Sequence, residues 1–399
     1  MNTSAESSLT FHTGHNLHSK DTIRIPESHT LHVGPAACAR RHAIKALENN
    51  DADNMSYLAI SEEDLAKGAY EQEIVKAVAA LNDMLPQPPH LYLICMKCID
   101  DLLGTDEDAL VSELQMRFPS QKFAVQHIDP IALSVNSSPS EKNKASLYSF
   151  IEPNQPKDNG VTLVGAFARI PAECEFHQVM LEWDAGPARN ILECRTYDDY
   201  QALGRSRASV LTATMGEGAA LTLQRSGIPY CCAELGYSPA GVSAFYRNLA
   251  DLMGKEPPAH LKRWEREASE ALKMASKAAQ GRSIVVDSSA ALQPFLLTKT
   301  LMEYGFTIEC VSSKGVSSWE KEAHAWIMAH CPNLPVVRTH SYKALEGDAY
   351  HLPADAVVIG ADFARTLGLT HAVDMWHDEG FFGFYGIKKL ARMIEEALQ

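Results

Sequence analysis

The chain has 399 residues, 46% of them hydrophobic, enough for two or three packed domains and too apolar for a disordered protein. Lys+Arg 36 against Asp+Glu 50 leaves a net charge of −14, and a lone Arg40-Arg41-His42 is no phosphate-neutralising stripe, which argues against nucleic acid as a partner. Nine cysteines are an odd number for a disulfide framework, the N-terminus lacks a leader pattern, and no apolar run approaches the roughly 18 residues of a membrane span, so a cytoplasmic protein with reduced thiols and no membrane association is expected.

Residues 1 to 22 have no periodicity and carry His12, His15 and His18, either a set of metal ligands or a polar arm; residues 1–29 are read as a flexible N-terminal arm. An extended apolar stretch from Thr30 then gives way to the Gly34-Pro35 turn, Cys38 and a helix from about 39 to 48. After a polar loop at 49–54 come a strand from Met55, a Ser61-x-x-Asp64 capping box, and a helix with Ile74, Val75, Val78 and Leu81 on one face, ending before Pro86. His90 to Ile94 reads as a buried strand, followed by a turn at Cys98, a helix through Leu110, Val111 and Leu114, and a strand at Phe123–Val125. This strand and helix alternation predicts a parallel sheet. Residues 130 to 160, rich in Ser, Asn, Pro and Lys, read as a linker.

A second α/β unit starts at Val161 and includes a strand at 209–212, a helix from 219 to 224, the Gly227-Ile-Pro229 segment, a helix from Pro239 to about Met253 and a long charged helix over 259–279. A third starts at Gly281, with strands ending at Asp287, Val311 and Ile359. The expected domains are 30–150, 151–280 and 281–399.

Cys38 and Cys98 each sit where an apolar strand ends in a turn and a helix begins, the edge at which open α/β sheets carry their chemistry. Thiols held on such turns can bind an iron–sulfur cluster, or can pack as buried free cysteines. Cys95 completes a Cys-x-x-Cys with Cys98, a redox or metal pair or a strand-end packing residue; Cys231 and Cys232 line a pocket or pack as a buried pair. Arg40, Arg41 and His42 would hydrogen-bond a cluster or an anion, or form a solvated patch. Asp374, His377, Asp378 and Glu379 can supply protons, or are simply a surface loop of that composition. There is no phosphate-binding loop Gly-x-x-x-x-Gly-Lys-Ser/Thr and no Gly-x-Gly-x-x-Gly, so neither ATP nor NAD is expected on this chain.

His32-Val33-Gly34-Pro35-Ala36-Ala37-Cys38 resembles the His-Gly-Pro-x-Gly-Cys segment of the nitrogenase component 1 superfamily, and Cys98-Ile-Asp-Asp-Leu-Leu-Gly104-Thr-Asp106 resembles its Cys-x-x-x-Leu-Ile-Gly-Asp-Asp segment. Gly227-Ile-Pro229, Tyr237-Ser-Pro239-Ala-Gly241 and Gly380-Phe-Phe-Gly383-Phe-Tyr-Gly386 follow in the family's order. The resemblance implies an α/β fold of three Rossmann-like parallel-sheet domains around a central cleft. It implies a homodimer, or a pairing with a homologous second subunit, whose interface holds an iron–sulfur cluster. Electrons would come from an ATP-hydrolysing iron protein, for the reduction of a small molecule or a tetrapyrrole.

On this resemblance Cys38 and Cys98 are the metal ligands, Gly34 and Arg40 the further cofactor-binding residues, and His377 and Asp378 the proton-delivering catalytic residues. Two subunits supplying two thiolates each would hold one four-iron cluster, a 4Fe-4S centre. A third family cysteine, upstream of Cys38, has no counterpart; a His from the N-terminal arm is the alternative ligand. Around Leu211 and Thr212, where nitrogenase anchors its active-site metallocluster, there is no Cys either, so dinitrogen is not the expected substrate. The alternatives are a non-catalytic metallocluster scaffold and a metal-free binding protein for a small ligand on the same fold.

Overall fold

The computed structural model describes residues 24–48, 50–127, 143, 145–165, 169–213, 216–234, 237–313, 315–337, 352–360, 363–365 and 368–399. Short runs of β-branched and aliphatic residues form three sheets, every strand pair parallel. Such strands are covered on both faces and therefore read as continuous apolar runs, as Leu91–Met96 does with every residue buried.

The first sheet contains β1 (Ser28–Gly34), β2 (Met55–Ala59), β3 (Leu91–Met96) and β4 (Lys122–His127), in the order β2-β1-β3-β4. The second contains β5 (Val161–Val164), β6 (Ala188–Asn190), β7 (Ala208–Leu211) and β8 (Tyr230–Cys232), in the order β6-β5-β7-β8. In the third, β9 (Ser283–Val286), β10 (Thr307–Ser312), β11 (Val336–Val337), β12 (Val357–Ile359) and β13 (Ala372–Val373) run in the order β11-β10-β9-β12-β13. Each order reverses direction once, between β1 and β3, β5 and β7, and β9 and β12. Crevices open at the carboxyl ends of strands at such reversals.

The helices form where their signals lie. Ser61 accepts from the Asp64 amide and Asp64 answers the Ser61 amide, and Tyr70–Met84 buries Ile74, Val75, Val78 and Leu81. Leu261–Ala278 buries Leu261, Trp264, Ala268, Leu272 and Ala275 against the closing helix Gly383–Ala397. No helix among the described residues is long and apolar enough to cross a membrane.

Three sequence expectations are corrected by packing. Ile25 is fully buried, and Ser28 and His29 belong to β1, so the stretch assigned to the arm enters the core by residue 25. Within the stretch read as linker, Leu147, Tyr148, Phe150 and Ile151 are buried in a cluster that includes Leu91 and Leu93 of the first sheet with Val164 and Leu211 of the second. That shared core joins the first two sheets. The turn expected at Cys98 is a short helix, Cys98–Leu103, ended at Gly104 with φ +65°, and the expected helix through Leu110 and Leu114 follows as Glu107–Arg117.

Candidate functional site

Two places on the fold gather the residues singled out in the sequence. The first is the reversal point of the first sheet. Val33 lies opposite Met96 in the β1/β3 register, so the chain leaves both strands side by side, into the turn Ala36–Cys38 on one side and the helix Cys98–Leu103 on the other. Gly34 sets their spacing: with φ +156°, its missing Cβ would stand 2.8 Å from Lys97 Cγ and 3.0 Å from Lys97 Cβ. Tyr57 Oη donates to the Pro35 carbonyl at 2.7 Å and the Ile60 amide to the Gly34 carbonyl at 3.0 Å, which fixes the turn. Cys38 is half-buried at its end. Lys97, whose stem packs against Gly34, is 3% exposed. Cysteines on two adjacent strand-end turns are a donor type that fits a thiolate-ligated cluster.

Cys95 does not share that position. It lies in β3, faces Gln126 Oε1 at 3.7 Å, and burial pushes its thiol up to about 12; it is a packing thiol. The side chains of Cys98, Arg40, Arg41 and His42 lie outside the described residues, as do His12, His15 and His18.

Beside the Cys98 helix is a group that the sequence reading missed. Asp100, Glu107 and His127 place one ligand atom each within 4.8 Å of one another, with His127 Nε2 2.7 Å from Glu107 Oε1 and its Nδ1 3.7 Å from Asp100 Oδ2. His127 ends β4, and nothing in its local sequence announces the two acidic partners.

The second place is a cleft between the reversal points of the second and third sheets. It is a small cavity of about 40 Å³, open to solvent on one side, and is lined among others by Gly165, Arg169, Thr212, His377, Asp378 and Phe382. Gly165, with φ +84°, lets the chain after β5 approach the backbone of Ala213 and Gly216 after β7, where a Cβ would meet the Ala213 carbonyl at 3.2 Å. His377 and Asp378 have φ of +44° and +61°, costly for residues with a side chain. The His377 amide donates to the Ser289 carbonyl and the Asp378 amide to the Ala290 carbonyl, at 2.9 and 3.0 Å, and these bonds after β9 hold the conformation.

The Asp378 side chain is 6% exposed. Its Oδ2 accepts from Tyr237 Oη at 2.6 Å and from the Leu292 amide at 2.9 Å, while Oδ1 has no partner. Burial outweighs both donors and pushes the carboxyl up to about 7. A carboxylic acid that titrates near neutrality can hold and release a proton at working pH.

A carboxylate on the second sheet's side fixes this wall. Glu175 accepts from the Phe384 amide at 2.7 Å, the Tyr385 amide at 2.9 Å and Tyr246 Oη at 2.9 Å, an acidic cap on the closing helix supplied from far away in sequence. His371, six residues before His377, does not line the cleft and instead lies with Nδ1 2.8 Å from the Ala397 carbonyl. Cys231 is buried in the core and Cys232 is exposed, so the pair does not line the cleft.

The family described as nitrogenase component 1 type oxidoreductase matches residues 22–399. Among solved structures, "Nitrogenase Cp1 at pH 6.5" superposes with a TM-score of 0.70 at 15% identity, covering 95% of this chain and 90% of that one. "Nitrogenase Cp1 at pH 5" does so with a TM-score of 0.61 at 10% identity, over 94% and 85%. No curated protein matches.

Proposed function

The chain belongs to the nitrogenase component 1 type oxidoreductase family, and from that premise we propose that it is the electron-accepting reductase component of a two-protein system. Electrons arrive from an ATP-hydrolysing iron protein, and a small molecule or tetrapyrrole is reduced in the cleft between the second and third sheets. Cys38 and Cys98, with the same pair from a second subunit, would hold an interfacial 4Fe-4S cluster. Bound there, the cluster would supply one-electron storage. Gly34 keeps the two turns close, and Arg40, on the helix that follows Cys38, would be a further residue holding the cofactor.

The surface of the first domain supports a subunit contact at this place. Ile44 and Leu47 on the helix after Cys38 are 51% and 67% exposed, and Leu103 on the helix after Cys98 is 43% exposed. Apolar side chains grouped on the elements that carry both thiols are what a partner subunit would cover.

The observation that carries the reductive reading is Asp378. A reduction at neutral pH needs protons as well as electrons, and a buried acid near pH 7 at the cleft wall provides one. His377 lines the same wall and would relay protons to it. Thr212 lies at the cleft too, in the stretch where nitrogenase, by the sequence resemblance, anchors its metallocluster.

The test is electron paramagnetic resonance of the anaerobic protein mixed with its iron protein, reductant and MgATP. The expected result is a change in the cluster signal that requires ATP and hydrolysis. A signal indifferent to ATP and iron protein would favour a metallocluster scaffold of the same fold.

A further inference from the structure

We propose that Asp100, Glu107 and His127 form a mononuclear site for a divalent transition ion of the manganese or zinc class, separate from the thiol turns and bracing the helix that starts at Cys98.

Three elements converge here. Asp100 lies on the short helix Cys98–Leu103, Glu107 is the first residue of the helix Glu107–Arg117, and His127 ends β4. Gly104, with φ +65°, ends the first helix, and the Asp106 side chain accepts from the Ala109 amide at 3.0 Å to start the second. That tight connection brings two carboxylates seven positions apart to the same imidazole. His127 is itself held by its backbone: its amide donates to Asn143 Oδ1 at 3.1 Å, and Asn143 Nδ2 donates to its carbonyl at 2.7 Å.

The spacing suits an ion. One ligand atom from each residue lies within 4.8 Å of the other two, and an equilateral triangle of that side has its centre about 2.8 Å from each corner. Movements of roughly 0.7 Å therefore reach the ~2.1 Å of a metal bond to nitrogen or oxygen. His127 Nδ1 stands 3.7 Å from Asp100 Oδ2, too long for a hydrogen bond and close to the roughly 3.4 Å between two ligands of one tetrahedral ion. Glu107 Oε1, 2.7 Å from His127 Nε2, lies within reach of the same centre.

Charge and access agree with this. Two carboxylates and a neutral imidazole present two negative charges to a divalent cation. The side chains grade from 3% exposed at Asp100 through 22% at His127 to 45% at Glu107, so an ion enters from the Glu107 side and keeps water in its remaining positions. The imidazole nitrogen favours manganese or zinc over magnesium or calcium, which take oxygen alone. An ion here joins β4 to both helices after Cys98, whether or not that thiol holds a cluster.

The test is Mn2+ titration of the full chain, read by the loss of the free-ion electron paramagnetic resonance spectrum, for wild type, His127→Ala, Asp100→Asn and Glu107→Gln. Manganese prefers nitrogen and oxygen to thiolate, so Cys38 and Cys98 do not compete for the probe. Wild type should bind a single Mn2+ that shows coupling to an imidazole nitrogen and survives excess Mg2+. Each variant should bind about tenfold more weakly or not at all. Circular dichroism checks the fold; Glu107→Gln, exposed and close in shape, decides the matter if the buried Asp100→Asn does not fold. Lack of binding, binding indifferent to Glu107→Gln and His127→Ala, a bound ion without nitrogen coupling, or displacement by Mg2+ would overturn the proposal and leave His127 as an imidazolium between two carboxylates.

Discussion

Asp378→Asn should make the protein more stable at alkaline pH and remove a pH dependence that the wild type shows. The folded chain keeps the Asp378 proton to about pH 7, whereas the unfolded chain releases it near the ordinary 3.8. Between those values the native state binds more proton than the unfolded state. Stability therefore falls as pH rises through that window and levels off above it. At roughly 1.4 kcal/mol per pH unit the ceiling is ~4 kcal/mol, of which about 2–3 kcal/mol falls between pH 5 and pH 8. Asn keeps an acceptor for Tyr237 and Leu292 but has no proton to lose. Urea unfolding of both proteins at pH 5, 6, 7 and 8 reads the difference. A chain with three sheets need not unfold in two states, so the shift between wild type and variant at each pH is the quantity to compare. Midpoints that run parallel across the range would refute the buried acid.

The remaining predictions concern the other named contacts. Gly34→Ala places a methyl against Lys97 at 2.8 Å, so it should lower iron content with little change in secondary structure, read by iron assay and circular dichroism on the same sample. Cys95→Ala should leave iron content unchanged and lower stability by about 1 kcal/mol for the lost buried sulfur, measured by thermal unfolding. Gly383→Ala forces a side chain at φ +59° against Glu175. It should cost about 1–3 kcal/mol, and its effect should shrink in a Glu175→Ala background, because both changes break the same helix cap.

What the sequence made legible was local. The Ser61 box, the face formed by Ile74, Val75, Val78 and Leu81, and the apolar run into Cys98 each declare themselves within a few residues, because helix caps and strand burial are short-range chemistry. The two thiol turns followed from the same logic, since each ends a strand. What stayed hidden depends on which strands become neighbours. Tyr237 and Asp378, or Glu175 and the Phe384 amide, are ordinary residues until the second and third sheets meet. Leu147, Tyr148, Phe150 and Ile151 looked like part of a polar linker because their neighbours are polar, yet the seam between two sheets buries them. His371 and His377 illustrate both outcomes within seven positions: one meets a helix carbonyl, the other the cleft.

Iron and acid-labile sulfide, measured with electron paramagnetic resonance on protein purified without oxygen, test the central claim most directly when wild type is compared with Cys38→Ala and Cys98→Ala. The account predicts about four irons per dimer in the wild type and loss of both iron and signal in each variant. An iron-free wild type, or iron indifferent to both substitutions, would contradict it and leave a binding protein on the same fold.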